Sequence, residues 1–335
     1  RSELLAGQTE LPMAIAALNA AVYDIAITEN EGRAIEAAQV MAKLDGLSGS
    51  EPMNRIAYDM AERGLAPDVA VALSKKALAF ASSRYDSTMI LDTVGWAYYA
   101  AGDYAEAASY LSTAVDLMDE TLTSDNETVQ HLLTAYDSGG MTDETIDLLA
   151  TIAARSVDAD DPARRNLAAL LVERDGDASA MEELMTGLRY EGVKAAPAFS
   201  IRTADGETVS LDSFRGDILV LNFWSYGCGA CRVEFPRLVE LHDKYGDLGV
   251  QFVSIDTGAS GAEAERFAEE NNARHVLLSD TDDTVSDAYS IFAIPVTILV
   301  DQEGRAVFRH LGYTDELGER LDKEIEMLIV WRDAG

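Results

Sequence analysis

Cysteine is scarce in this chain of 335 residues, which contains two, at positions 228 and 231. A framework of structural disulfides would need more cysteines, dispersed along the chain, so the sequence excludes one. Two cysteines this close together indicate either redox chemistry or half of a metal site. A zinc site needs two further ligands at suitable spacing. The four histidines are scattered singly, at His131, His242, His275 and His310. We therefore expect no metal.

Basic residues and long apolar runs are also few. Lysine and arginine total 26 against 59 acidic residues, and the formal net charge is -33. Nucleic acids and anionic membranes bind basic patches, so neither is an expected partner. No run approaches the roughly 20 apolar residues that span a bilayer, so we expect no membrane span in this chain. The hydrophobic fraction of 48% is that of an ordinary globular protein, and the length indicates two domains.

Apolar residues recur at helical spacing as far as about residue 190, and β-branched runs are few. The most informative segment, Leu91 to Val115, resembles a tetratricopeptide repeat. Its small residues Gly95 and Ala107 lie where two antiparallel helices approach each other, and Tyr98 fills the gap between them. Gly102 makes the turn. The sequence thus predicts an all-α domain over residues 1–192.

Glycine recurs in this domain at a constant interval. Gly64, Gly102 and Gly140 are 38 positions apart, and a weaker fourth copy turns at Gly176. Tetratricopeptide repeats usually have 34 residues, so these units are longer than the standard repeat. We interpret the domain as tetratricopeptide-like helical hairpins, and the alternative is an irregular α-helical bundle.

The pattern changes from helical to strand periodicity near Gly192 to Pro197, which places a second domain at residues 193–335. Ala198 to Phe214 is typical of a hairpin that turns at Asp205-Gly206. The further elements expected are a buried strand Ile218 to Trp224, a helix from the cysteines to about Lys244, a strand Gly249 to Ile255, a helix Glu263 to Glu270, strands Val296 to Val300 and Arg305 to Leu311, and a helix from about Glu316 to Val330. This order predicts a mixed α/β sheet covered on both faces by helices.

The cysteines follow a buried strand directly and open a helix. At that position, unpaired backbone N–H groups and the helix dipole favour a negative charge on Cys228, which lowers the thiol pKa. A thiolate is the attacking species in thiol-disulfide exchange. Cys231, one helical turn later, can resolve the resulting mixed disulfide within the chain.

Two separated segments, Asn222 to Pro236 and Ala293 to Arg305, resemble the TlpA/ResA-like branch of the thioredoxin superfamily. The resemblance implies a thioredoxin fold in which Cys228 is the exposed nucleophile and Cys231 is the buried resolving thiol. It also implies a redox-active Cys228–Cys231 disulfide without other cofactors, and protein thiol or disulfide partners. Family members mostly act outside the bacterial cytoplasmic membrane, so we expect an extracytoplasmic location.

Four more residues are assigned to the site, three of them through this resemblance. Pro295 occupies the place of a cis-proline that faces the disulfide, although Ile-Pro at a strand start is also compatible with an ordinary trans edge proline. A cis bond would turn the backbone of Ile294 towards an extended segment of the substrate. Asn222 stands where thioredoxins have a buried acid, and Trp224 supports the loop.

Glu234 matches the acid of the ResA-like branch and lies three residues after Cys231, on the same helix face. Burial beneath the thiols would raise the pKa of this carboxyl and suit it to take the proton of Cys231. An exposed glutamate in the first turn of a helix is the alternative interpretation. Gly227 and Ala230 replace residues common in relatives, which leaves the direction of electron transfer open.

Three functions are compatible with the sequence. The first is a thiol-disulfide oxidoreductase whose helical domain binds a protein partner. The second is a peroxiredoxin-like peroxidase, for which Ser225 stands three residues before Cys228 but an expected upstream proline is missing. The third is a helical-repeat adaptor with a non-catalytic thioredoxin-like module, which retention of both cysteines and Pro295 disfavours.

Overall fold

The computed structural model describes residues 2–44, 49–118, 122–158, 160–203, 207–258 and 261–334. These residues form two compact units. The helical unit lies within residues 2–186, and the second unit comprises residues 187–334 together with the short segment 155–158. No helix among the described residues has the length and apolar character that crossing a membrane requires.

The described part of the helical unit contains ten helices. They are α1 (Ser2–Ala26), α2 (Glu31–Lys43), α3 (Glu51–Glu62), α4 (Pro67–Leu78), α5 (Arg84–Ala100), α6 (Tyr104–Leu117), α7 (Glu127–Gly139), α8 (Thr142–Arg155), α9 (Pro162–Asp175) and α10 (Met181–Leu188). Several begin at a side chain that accepts a hydrogen bond from a free backbone N–H of the first turn. The capping residues are Asn30, Ser83, Asp103, Asn126 and Asp161. Such caps explain why the helices begin at these positions.

The repeating glycines lie at the turns of helical hairpins. Gly64, Gly102, Gly140 and Gly176 follow α3, α5, α7 and α9, and all four have a positive φ, between 63° and 87°. Glycine adopts this conformation without steric strain, which ends each helix and reverses the chain. Helices α3 and α4 pack together, as do α5 and α6, so these two predicted hairpins are confirmed, and their assignment to the tetratricopeptide family stays a prediction.

The close approach predicted within the middle hairpin is also present. A Cβ added to Gly95 of α5 would collide with Leu111 of α6 and lie 3.1 Å from the carbonyl oxygen of Ala107. The ring of Tyr98 stacks on that of Tyr110, with centroids 5.5 Å apart. The small residue therefore determines how closely α5 and α6 pack.

The second unit contains a six-stranded sheet and a separate two-stranded hairpin. The strands are β1 (Lys194–Ala195), β2 (Ser200–Arg202), β3 (Thr208–Ser210), β4 (Ile218–Trp224), β5 (Val250–Asp256), β6 (Val276–Ser279), β7 (Val296–Val300) and β8 (Arg305–Leu311). The helices are α11 (Gly229–Tyr245), α12 (Gly261–Glu270), α13 (Thr284–Ala288) and α14 (Leu317–Ala334), with 3-10 turns at Leu211–Phe214 and Gly246–Leu248.

The sheet order is β1-β8-β7-β4-β5-β6, in which β4, β5 and β6 are parallel and β7 and β8 are antiparallel to their neighbours. Helices α11 and α14 cover one face, and α13, the first 3-10 turn and the hairpin cover the other. This is a thioredoxin fold. The hairpin β2–β3 is confirmed, while its predicted turn at Asp205-Gly206 lies outside the described residues. The sequence prediction missed β6 and the two-residue strand β1.

A cluster around Tyr190 belongs to the second unit. The guanidinium of Arg305 lies 3.6 Å from the centre of the Tyr190 ring, and Trp331 of α14 contacts the same ring edge-on at 5.8 Å. Tyr190 and Val193 both pack against the core formed by β4, β5, α11 and α14. The second unit thus begins at residue 187, whereas the sequence pattern places the boundary at residue 192.

We expect a chain of residues 187–335 to be more stable than a chain of residues 195–335, although both should fold. The shorter chain loses the stacked ring of Tyr190, and the substitution Tyr190→Ala in the longer chain should lower the free energy of unfolding by about 1–3 kcal/mol. Urea unfolding of the three proteins measures the difference. Equal midpoints would show that the Tyr190 cluster does not stabilise this unit.

Candidate functional site

The two cysteines lie where β4 ends and α11 begins. They form a disulfide with their Cα atoms 5.3 Å apart. Cys228 is the N-cap residue of α11, and its sulfur accepts a hydrogen bond of 3.2 Å from the backbone N–H of Cys231. Cys228 is half-buried, whereas Cys231 is only 1% exposed. A negative charge on Cys228 would therefore face the N-terminus of a 17-residue helix, which stabilises it.

The loop before β7 lies beside the exposed sulfur. The Ile294–Pro295 peptide bond is cis, as the resemblance implied. The carbonyl oxygen of Ile294 is 3.7 Å from the sulfur of Cys228. An extended partner segment with its sulfur at Cys228 would thus meet the backbone of Ile294.

Trp224 lies behind the disulfide. Its side chain is 2% exposed and packs with Cys231 and Phe235 in one cluster, with the Trp224 and Phe235 rings 4.6 Å apart. The backbone carbonyl of Trp224 accepts a hydrogen bond from the N–H of Thr257. These contacts place Trp224 in the wall that shields the inner sulfur from solvent.

A row of polar side chains crosses the otherwise apolar sheet beneath α11. The strand register pairs Asn222 of β4 with Ser254 of β5 and with Thr297 of β7, and pairs Thr297 with His310 of β8. Directly paired residues point to the same face of a sheet. Asn222, Ser254 and Thr297 are at most 2% exposed. Asn222 and Thr297 are each the one polar residue of an otherwise apolar strand, and only the register brings them together with Ser254.

Glu234 of α11 inserts its carboxylate into this row. Thr297 donates a 2.6 Å hydrogen bond to one carboxylate oxygen, and the side-chain amide of Asn222 lies 3.4 Å from the other. The same amide donates to the Thr297 hydroxyl at 3.0 Å. Glu234 is 2% exposed, so the interpretation as a solvent-exposed helix-start glutamate is wrong.

Burial raises the pKa of Glu234 to about 7. The Thr297 hydrogen bond, the charge of His310 and the Asn222 amide act in the opposite direction and lower this pKa. A carboxyl with a pKa near neutrality can both accept and release a proton under physiological conditions. Glu234 and the buried Cys231 lie one helical turn apart on the inner face of α11. The structure therefore places a carboxyl with a pKa near neutrality on the same helix face as the inner thiol.

Sequence reasoning missed three residues of this site. Thr297 and the pair His310–Glu324, whose side chains are 2.7 Å apart, complete the polar cluster around Glu234. Thr297 is the one polar residue of an apolar strand and Glu324 is the one polar residue on the buried face of α14, whereas His310 lies in a strand with two arginines and carries no such signal. Nothing in the sequence indicated that these positions face one another, because the strands come together only in the folded sheet.

Two exposed apolar side chains lie close in the sequence to residues of the site. Phe292, two residues before Ile294, is 72% exposed, and Val233 of α11 is 54% exposed. Large apolar side chains at the surface often mark a contact with a partner. The described residues contain no group of three or more histidine, cysteine, aspartate or glutamate side chains arranged to hold a metal ion.

Comparison with known proteins agrees with this site. Residues 193–308 match the AhpC/TSA family. The thiol-disulfide oxidoreductase ResA of Bacillus subtilis (strain 168) is 30% identical over 112 residues, which cover 33% of this chain and 63% of ResA. ResA of Bacillus thuringiensis subsp. konkukian is 24% identical over 135 residues, or 40% of this chain and 77% of that protein. The second unit is thus similar to thiol-disulfide oxidoreductases, and the match spans less than two thirds of B. subtilis ResA.

Solved structures with similar coordinates include a putative thiol:disulfide interchange protein DsbE from Chlorobium tepidum. It is 26% identical with a TM-score of 0.39, over 41% of this chain and 96% of that one. The thioredoxin domain of a thiol-disulfide oxidoreductase from Bacteroides vulgatus is 30% identical with a TM-score of 0.36, over 39% of this chain and 96% of that one.

The raised pKa of Glu234 predicts a pH-dependent stability. Between pH 4.5, the ordinary pKa of the group, and about pH 7, the folded state keeps a proton that the unfolded state has released. The free energy of unfolding should therefore fall as pH rises through this range, by at most about 3 kcal/mol, relative to Glu234→Gln.

Urea unfolding of oxidised residues 187–335 at several pH values measures this difference. The variant Glu240→Gln removes an exposed carboxylate from the same helix and serves as the control, which should follow the parent protein. Parallel curves for the parent and Glu234→Gln would contradict a protonated, buried Glu234.

Proposed function

We propose that this protein is an enzyme that exchanges disulfides and dithiols with protein partners through Cys228 and Cys231. The observation that carries the proposal is the arrangement of the disulfide, with an accessible sulfur at a helix N-terminus and a buried sulfur one helical turn before a buried carboxyl. Similarity to ResA supports the same chemistry. The redox-active group is the disulfide itself.

The exchange proceeds in two steps. The Cys228 thiolate attacks a partner disulfide, so that a Cys228–partner bond forms, the partner bond breaks and one partner thiolate leaves. The Cys231 thiolate then attacks the Cys228 sulfur, which forms the Cys228–Cys231 disulfide and releases the second partner thiolate. Two electrons pass to the partner, and the reverse sequence oxidises a partner dithiol.

Glu234 takes part in the proton transfer of the second step. Cys231 is buried and must lose its proton before it attacks, and Glu234 accepts it. The hydrogen bonds from Thr297 and Asn222 favour the charged form of the carboxyl, while burial favours the protonated form. Burial outweighs the hydrogen bonds and raises the pKa of Glu234 to about 7, so both forms are populated near neutral pH and Glu234 can return the proton in the reverse reaction.

The helical unit would hold the partner in this proposal. Its helices α3, α5 and α7 carry a cluster of aromatic rings in which Trp96 stacks on His131 at 4.0 Å and on Tyr99 at 4.5 Å. Trp96 and Tyr99 are partly exposed. Partly exposed aromatic side chains are typical anchors of protein interfaces. Comparing the partners trapped by the full chain and by residues 187–335 tests this assignment.

A peroxiredoxin-like peroxidase is the second candidate, and the match to the AhpC/TSA family favours it. The disulfide between residues three positions apart fits the exchange reaction better. Consumption of hydrogen peroxide by the reduced protein, compared with reduction of an insulin disulfide, distinguishes the two. Faster peroxide turnover would replace our first proposal.

We further propose an extracytoplasmic location in a bacterium, either periplasmic or attached to the membrane and facing outward. Its support is the resemblance of the motifs around Cys228 and Pro295 to the TlpA/ResA-like branch. Fractionation of the source cells, followed by detection of this protein with an antibody, tests the location.

The two cysteines should respond differently to substitution. Because Cys228 is accessible and Cys231 is 1% exposed, limiting alkylating reagent should label Cys228 first in the reduced protein. Cys228→Ser should abolish exchange, whereas Cys231→Ser should accumulate mixed disulfides that a non-reducing gel resolves. First labelling of Cys231 would reverse the assigned roles.

Phe292 should contribute to partner binding without taking part in the chemistry. Its exposed ring is positioned in the loop that leads to Ile294, so Phe292→Ser should raise KM for a protein disulfide about tenfold. The rate with the small disulfide of Ellman's reagent should stay unchanged. Leu248→Ser, at an apolar position that is 53% exposed elsewhere in this unit, is the matched control. An equal effect on both substrates would mean that Phe292 acts on the sulfurs themselves.

A further inference from the structure

A buried histidine and a buried glutamate pair with each other near Glu234. His310 of β8 and Glu324 of α14 are joined by a 2.7 Å contact between Nε2 and Oε2, and their side chains are 9% and 4% exposed. Taking two ionisable groups out of water destabilises a fold unless close pairing compensates. The exchange steps described above make no use of this pair.

The pair is connected to Glu234 through one residue. Thr297 is the register partner of His310 and donates its hydroxyl to the Glu234 carboxylate at 2.6 Å. A positive charge on His310 therefore lowers the pKa of the Glu234 carboxyl. The effect is strong for its distance because little solvent screens the two buried groups from each other.

The other ionisable groups along these elements are engaged elsewhere. Lys244 and Tyr245 of α11 bind Asp322 of α14 at the exposed side of the two helices. Glu326 joins the same surface group. At the far end of the polar row, His275 contacts the Ser254 hydroxyl at 2.9 Å and faces the His242 ring at 5.8 Å, and burial lowers the pKa of His275 to about 4. Among the described residues, His310 is the charged neighbour that acts on Glu234.

We propose that His310 and Glu324 are a positioning pair that keeps Glu234 able both to accept and to release a proton near neutral pH. His310 favours the carboxylate form of Glu234, and Glu324 competes for the same positive charge and so limits this effect. The inference rests on the proposed role of Glu234 in resolving the mixed disulfide.

The two members of the pair should therefore act in opposite directions. His310→Gln removes the side chain whose positive charge lowers the pKa of Glu234 and leaves Glu324 as a second buried acidic group, so the titration midpoint of Glu234 should rise by about one pH unit. Glu324→Gln removes the acid that competes with Glu234 for interaction with His310, so the midpoint should fall. Asp322→Asn removes a more exposed acid from the same helix and should leave the midpoint unchanged.

The midpoint can be measured by NMR on the oxidised full chain labelled with carbon-13 at the glutamate carboxyl. Glu234→Gln identifies the resonance by its loss. Opposite shifts of the Glu234 midpoint in the two variants support the proposed role of the pair. If one variant fails to fold, the shift in the other decides the question. A midpoint unchanged in a folded His310→Gln or Glu324→Gln protein overturns the inference and leaves the exchange chemistry standing.

Release of a trapped Cys228 mixed disulfide at pH 7 provides the functional readout. If Glu234 accepts the Cys231 proton, a one-unit rise in its midpoint slows release by about fivefold in His310→Gln, because less carboxylate is present. A shifted midpoint with an unchanged release rate rejects Glu234 as the proton acceptor, and with it the positioning role. Failure of the pair and failure of the proposed proton transfer are thereby distinguishable.

Discussion

The alignment of four strands in the central sheet is the constraint on which the site depends. Their register places Ser254, Asn222, Thr297 and His310 in one row beneath α11. Side chains alternate between the faces of a strand, so a slip of one residue would move a polar side chain into the apolar core on the opposite face. The same slip would remove the hydrogen bonds that Glu234 receives. The site therefore forms only when the core strands pair in the correct register.

The buried polar row is stable because its side chains find hydrogen-bond partners in one another and in the helices that cover them. Thr297 accepts from Asn222 and donates to Glu234, while His310 pairs with Glu324. Unpaired, each of these groups would destabilise the fold by about 1–3 kcal/mol. The low dielectric that makes burial unfavourable also makes the interactions between these groups strong. Helix α11 connects this interior to the surface, since it begins at Cys228 and carries Cys231 and Glu234 on its buried side.

Much of the second unit was predictable because its signals are local. The largely apolar run of β4, the two cysteines three positions apart and the turn residues before β8 each depend on neighbours in the sequence, and their elements formed where predicted. Strand β6 was not predicted, since four residues without clear alternation resemble a loop until β5 pairs with them. Tyr190 looks like the end of the helical domain in the sequence. Its packing partners, Arg305 and Trp331, are more than a hundred residues away.

The sequence by itself determined the pairing of Cys228 with Cys231, the hairpin turns at the repeating glycines and the helix face shared by Cys231 and Glu234. Each follows from backbone geometry over a few residues, which does not change with the surroundings. Only the tertiary structure decided that Glu234 meets Thr297 and Asn222, and that His310 meets Glu324 beside them. Burial and neighbouring charge set the proton affinity of a carboxyl, and both depend on which strands and helices surround it in the folded unit.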